Sequence, residues 1–249
     1  LRILPSEVRE RQLNFFEQKF KYLFIFLYFM KAVIFDLDNT LIDFMKFKKL
    51  AVGEAIDAMI DAGLSIPKKK ALDELYKIYF EVGLEDPTIF QKFLKKVTGK
   101  IDYKKLAYAI VAYRQARTGF IHPYPGAKQT LIRLKEKGLK LAVVSDAPKL
   151  KAWMRLVSMK IDDFFDVVVG HEDTGRHKPS RLPFRAVLKE LKLKPAECLM
   201  VGDRPERDMK GARSLGINTC FAKYGYDGKA KGKWDYEIKD IKDLLKIFS

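Results

Sequence analysis

Ala32-Val33-Ile34-Phe35-Asp36-Leu37-Asp38-Asn39-Thr40 decides how this chain is to be read. Four consecutive apolar residues end on a carboxylate, and an apolar run of that length without polar alternation is the pattern of a strand buried on both faces in a parallel sheet. A second carboxylate follows after one intervening residue, so both can face one cavity. Bare carboxylates at the edge of an apolar core repel each other and lose hydration unless a cation or hydrogen bonds compensate. The pair therefore points to a site; the plainer alternative is a loop start in which Asp38 or Asn39 caps the next turn.

The same pattern recurs downstream. Residues 139–144 run into Ser145, 165–169 into Gly170, 198–201 into Gly202 and Asp203, and 218–222 follow Gly216. Between these runs, residues 130–137, 149–159, 184–191 and 208–215 have helical periodicity. Strands alternating with helices predict an α/β fold, a doubly wound parallel sheet of Rossmann-like type. Ligands of such sheets bind beyond the carboxyl ends of the strands, where Asp36, Ser145 and Asp203 all fall.

Residues 44–118 break the alternation. Apolar positions at i, i+3 and i+4 spacing lead up to Gly63, Gly83, Gly99 and Gly119, which predicts four helices. The segment His122-Pro123-Tyr124-Pro125-Gly126 then marks a rigid return to the sheet. The expected organisation is an N-terminal extension over 1–30, an α/β catalytic core over 31–43 and 119–249, and a smaller all-helical domain over 44–118. Within the extension, residues 20–30 (FKYLFIFLYFM) fall short of the roughly 20 apolar residues that a spanning helix needs. No small-residue cleavage site follows them. Met30 reads as a natural start, with 1–29 an upstream extension or a helix packed on the body, and a surface-seeking anchor as the alternative.

Composition narrows the class. With 249 residues, 48% of them hydrophobic, the chain can bury a sizeable core and an appended domain. Its two cysteines, Cys198 and Cys220, lie in apolar stretches without metal-ligand spacing, which argues against a disulfide framework and fits a cytoplasmic location. A formal charge of +16 raises a nucleic-acid reading, but the lysines recur along the chain with acidic residues between most groups, as on a solvated surface.

The residues that carry chemistry lie at the strand ends. Gly202-Asp203-Arg204-Pro205-Glu206-Arg207-Asp208 repeats the arrangement of the first loop, and such oxygen-rich clusters suit Mg²⁺. Taken singly, Asp208 reads equally well as a helix N-cap, and Ser145 and Lys178 are weak signals.

In order, DLDNT (36–40), VVSDA (143–147), HKPS (177–180) and GDRPERD (202–208) resemble the four motifs of the haloacid-dehalogenase superfamily of hydrolases. The resemblance spans about residues 31–249, and the helical insert is similar to the family's cap. It implies a magnesium-dependent phosphatase, a hydrolase acting on a small phosphorylated metabolite through an aspartyl-phosphate intermediate. By that resemblance Asp36 is the nucleophile and Asp38 the acid and base, while Thr40, Ser145, Asp146 and Lys178 bind phosphate. Asp36, Asp38 (through its carbonyl), Asp203 and Asp208 hold Mg²⁺, with Asp208 acting on metal-bound water or steadying Lys178. Neither nucleic acid nor a membrane is expected as a partner. Substrate choice would fall to residues near 43–49 and 108–117, with Arg114 or Arg117 either meeting a second anionic group or lying on the solvated surface. Two alternatives share the nucleophile: a 2-haloacid dehalogenase, which Asp38 argues against, and a phosphomutase. A third is a non-catalytic nucleic-acid or protein-binding module on the same fold.

Overall fold

A computed structural model describes residues 30–248; the extension before Met30, with its apolar run, lies outside the described residues. Six parallel strands form one sheet: β1 (Ala32–Phe35), β2 (Lys140–Val144), β3 (Val167–Val169), β4 (Cys198–Gly202), β5 (Asn218–Ala222) and β6 (Tyr236–Ile238), in the order β3-β2-β1-β4-β5-β6. β1 pairs with both β2 and β4, so the strand order reverses beside it. That is the place where a doubly wound sheet opens a crevice at its carboxyl edge.

The described residues divide into two compact units, the first comprising 30–41, 125–152 and 162–248, the second 42–124 and 153–161. In the first, strand residues alternate between two buried faces. Ala32 and Ile34 of β1, Ala142 and Val144 of β2 and Met200 of β4 pack with Phe184, Val187 and Leu191 of helix α7 (Arg181–Leu191) and Ala212 of the short α8 (Lys210–Arg213). Phe35 points the other way and meets the Phe165 ring edge-on, with centroids 6.3 Å apart. Helices α5 (Ala127–Glu136) and α9 (Leu244–Ile247) pack against each other in this unit, while α6 (Lys149–Ser158) follows β2. Phe184 is fully buried, and truncating a Phe so placed costs about 3–5 kcal/mol.

The second unit is helical: α1 (Phe44–Asp61), α2 (Lys68–Val82), α3 (Ile89–Thr98) and α4 (Tyr103–Phe120). Asp43 caps α1 by accepting from Lys46 N, and Asp102 caps α4 by accepting from Lys104 N and Lys105 N. Val52, Ile56 and Met59 of α1 join Leu75 and Tyr79 of α2 and Phe93 of α3 in a separate core. Lys48 is buried in this unit. Its Nζ donates to Leu84 O at 2.8 Å and to the Tyr113 hydroxyl at 3.0 Å, and lies 4.5 Å from the Tyr79 ring centre.

Candidate active site

Asp36 directly follows β1, and its backbone N still donates to Val201 O of β4 at 2.8 Å, so the sheet ladder fixes the residue's main chain. Ser145 holds the same position after β2, donating to Val169 O at 2.9 Å. Asp203 follows β4. Beyond Asp36 the chain turns at once, with Leu41 N donating to Leu37 O at 2.9 Å. Asn39 sits in the turn at φ 60°, a left-handed conformation that asparagine tolerates better than most residues.

These loops bring together side chains far apart in sequence. Lys178 Nζ lies 2.6 Å from Asp36 Oδ1, 2.7 Å from Asp208 Oδ1 and 3.1 Å from Val144 O, and all three side chains are buried. Carboxylate oxygens of Asp36, Asp203 and Asp208 lie within 4.8 Å of one another. Asp208 is held from its other oxygen by the Arg204 backbone N at 2.9 Å. It does not cap a helix: residues 205–209 form a wider π-type turn ahead of α8, and its carboxylate is turned to Lys178. Asp38 is half-buried, and its carboxylate stands outside the group of three.

The second tier organises Lys178. Asp146 Oδ1 accepts from Lys178 N at 2.8 Å, and Asp146 Oδ2 pairs with Arg207 at 3.0 Å. The Asp146 carboxylate is thereby committed to the loop that carries the lysine. Ser145 Oγ accepts from Ala147 N at 3.1 Å, an arrangement that leaves the hydroxyl proton as a donor. Thr40 is buried in the first loop, and its carbonyl accepts from the Tyr224 hydroxyl at 2.7 Å.

Burial pushes the Asp203 carboxyl up to about 9, with the neighbouring charges of Asp36 and Asp208 adding to the shift. Burial likewise raises Asp208, to about 6, with Lys178 opposing the rise. The Lys178 ammonium would be lowered by burial, yet Asp208, Asp36 and Asp146 hold it above its ordinary value. Three buried carboxylates thus face one buried ammonium. Asp203 Oδ2 accepts no hydrogen bond among the described residues, although the Arg204 side chain lies 3.4 Å away. An all-oxygen group carrying excess negative charge fits a hard divalent cation.

Some contributors were not signalled by the sequence motifs. A Cβ on Gly225 would come within 1.7 Å of Asn39 O, so the loop after β5 touches the first loop only because residue 225 has no side chain. Similarly, a Cβ on Gly202 would strike Asp208 Oδ2 at 2.4 Å. Gly202 could be read from its place in the fourth motif. Gly225 and Tyr224 lie in an unmotivated stretch and show their purpose only in three dimensions.

Residues 33–222 match the family model of haloacid dehalogenase-like hydrolases. The chain is 36% identical over 220 residues to the glyceraldehyde 3-phosphate phosphatase of Methanocaldococcus jannaschii, covering 88% of this chain and 96% of that one. It is 33% identical over 222 residues to the enzyme of the same name from Pyrococcus furiosus, covering 88% and 92%. A crystal structure of a haloacid dehalogenase-type phosphatase from Thermococcus onnurineus superposes with a TM-score of 0.64 at 27% identity, covering 88% of this chain and 97% of that one. Motif order, parallel-sheet topology and named relatives over most of the chain agree: the protein belongs to the haloacid dehalogenase-like hydrolases, among their phosphatases.

Proposed function

We propose that this chain is a Mg²⁺-dependent phosphatase that hydrolyses a small phosphate monoester through an aspartyl phosphate on Asp36. The observation that carries the reading is the buried contact of Lys178 Nζ with Asp36 Oδ1 and Asp208 Oδ1 at 2.6 and 2.7 Å. It fixes the orientation of the Asp36 carboxylate and places a permanent cation where a transferring phosphoryl group would gather charge. Asp36, Asp203 and the Asp38 carbonyl would hold the metal. When bound, Mg²⁺ neutralises the carboxylates and the phosphoryl oxygens, which allows a weak carboxylate nucleophile to approach an anion.

In this reading an Asp36 oxygen attacks phosphorus, the ester P–O bond breaks, and the leaving oxygen takes the Asp38 proton. Water then attacks phosphorus and gives its proton back to Asp38, releasing inorganic phosphate and free Asp36. Ser145 donates its hydroxyl proton to a phosphoryl oxygen. Thr40 shapes the first loop, and any phosphate contact from Asp146 comes from its backbone N–H, since its carboxylate serves Lys178 and Arg207. Asp208 steadies Lys178. The helical insert 44–118 serves as the cap that chooses among phosphate esters. Arg114 and Arg117 are its candidate anion contacts, whereas Lys48 is engaged within the insert's own core.

The relatives' activity makes glyceraldehyde 3-phosphate the leading substrate. The test is phosphate release across a panel of phosphorylated three-carbon compounds, acids and sugars, with Mg²⁺ and with excess chelator. Glyceraldehyde 3-phosphate should be turned over best, chelator should abolish release, and Asp36→Asn should be inactive on every member. Undiminished turnover by that variant, or in chelator, would end the proposal.

A further inference from the structure

A groove of about 720 Å³ lies in the first unit at the amino ends of β1 and β4, the opposite end of the sheet from Asp36. Five cations line it: Lys31 before β1, Arg185 and Lys189 of α7, and Lys192 and Lys194 of the loop that follows. Leu188, Leu193 and Pro195 supply apolar wall, and Glu197 is the one carboxylate in the lining among the described residues. Glu197 is already engaged, pairing with Lys31 at 2.6 Å and accepting from Lys194 N at 2.7 Å. Arg185, Lys189, Lys192 and Lys194 are exposed, and none makes a side-chain ion pair among the described residues.

What sets this place apart is the convergence of Arg185, Lys189, Lys192 and Lys194 on one concavity with no carboxylate paired to any of them among the described residues. Like charges held together repel and raise the local positive potential, which concentrates anions there. We propose that this groove is a second anion site, separate from the catalytic centre, that takes a small ligand bearing several phosphate groups. Among the described residues the lining contains no aromatic side chain on which a nucleobase could stack, which favours a compact oligophosphate over a single-stranded nucleic acid.

Tripolyphosphate is the probe, titrated calorimetrically into the full chain carrying Asp36→Asn, to stop turnover, in chelator, where the uncompensated carboxylates of the catalytic centre repel anions. One saturable site is expected, weakening as salt rises. Adding Arg185→Glu and Lys189→Glu should reduce affinity about tenfold or more, since each reversal turns an attraction into a repulsion. Adding Lys69→Glu and Lys70→Glu, an exposed pair on α2, should leave it unchanged. In the chain with Asp36 intact, both charge-reversed pairs should keep aryl phosphate turnover, which shows that they fold. Absence of saturable binding, or equal weakening by both pairs, would overturn the proposal. So would tighter, groove-dependent binding of a single-stranded oligonucleotide, which would make the surface a nucleic-acid face.

Discussion

Asp38 is the residue at which the competing chemistries of this fold part. If it protonates the leaving oxygen and later activates water, Asp38→Asn should lower turnover by roughly 10²–10⁴-fold, the span of a positioned acid and base, while the backbone carbonyl stays available to the metal. The loss should be larger for alkyl phosphates than for aryl phosphates, whose leaving groups need little protonation; equal losses across leaving groups would remove the acid role. The residues of the site were legible in sequence where each one terminates an apolar run: Asp36, Ser145 and Asp203 announce themselves by ending a strand. Lys178, a weak signal by itself, is picked out by its place in HKPS, but its contact with Asp36, 142 residues away, is not legible there, nor is the reach of the Tyr224 hydroxyl to Thr40 across 184 residues. Periodicity describes neighbours in a chain and is silent about pairs made by folding.

At the scale of elements, the apolar runs at 32–35 and 218–222 predict β1 and β5 with the observed bounds. β3 is shorter than the run 165–169 suggests: the register starts at Val167, with Asp166 at its edge donating its backbone N to Leu141 O at 2.8 Å and accepting from Leu141 N at 2.7 Å through its carboxylate. β6 has three residues with one buried side chain, Ile238, too short for any alternation to register. The helix expected over 208–215 opens as a π-type turn because Asp208 serves Lys178 and Arg204 instead. Two glycines test how tightly the elements are fitted. Gly225→Ala drives a methyl group into the Asn39 carbonyl, so it should cost about 1–3 kcal/mol and depress kcat by displacing the first loop, measured as thermal stability and turnover. Gly53→Ala, in α1 with nothing within 4 Å of the added carbon, should instead stabilise by about 0.5–1 kcal/mol.

For the molecule as a whole, the buried carboxylates tie stability to pH and metal. An acid whose folded pKa is raised binds its proton more tightly when folded, so its contribution is complete below the unfolded value and is lost as pH rises through the folded one. For Asp203 that window runs from 3.8 to about 9, and Asp208 acts in the same direction. Metal-free protein should therefore melt progressively lower between pH 5 and pH 9 as these carboxylates ionise, and Mg²⁺ should restore more at pH 9 than at pH 5. At about 100 times its dissociation constant the ion adds about 2.7 kcal/mol, or about 5–10 °C in Tm for a chain of this size; a melting temperature indifferent to Mg²⁺ at pH 9 would contradict the metal assignment. Among the described residues no helix is long and apolar enough to cross a membrane. The sheet's outermost members, β3 and β6, have three residues each, against four or five in the inner strands. An outer strand carries a free backbone row that another chain can template upon. Tapering the sheet at both flanks, with Lys239 directly after one of them, leaves little purchase for such templating, so among its described residues this fold guards against fibril growth by geometry.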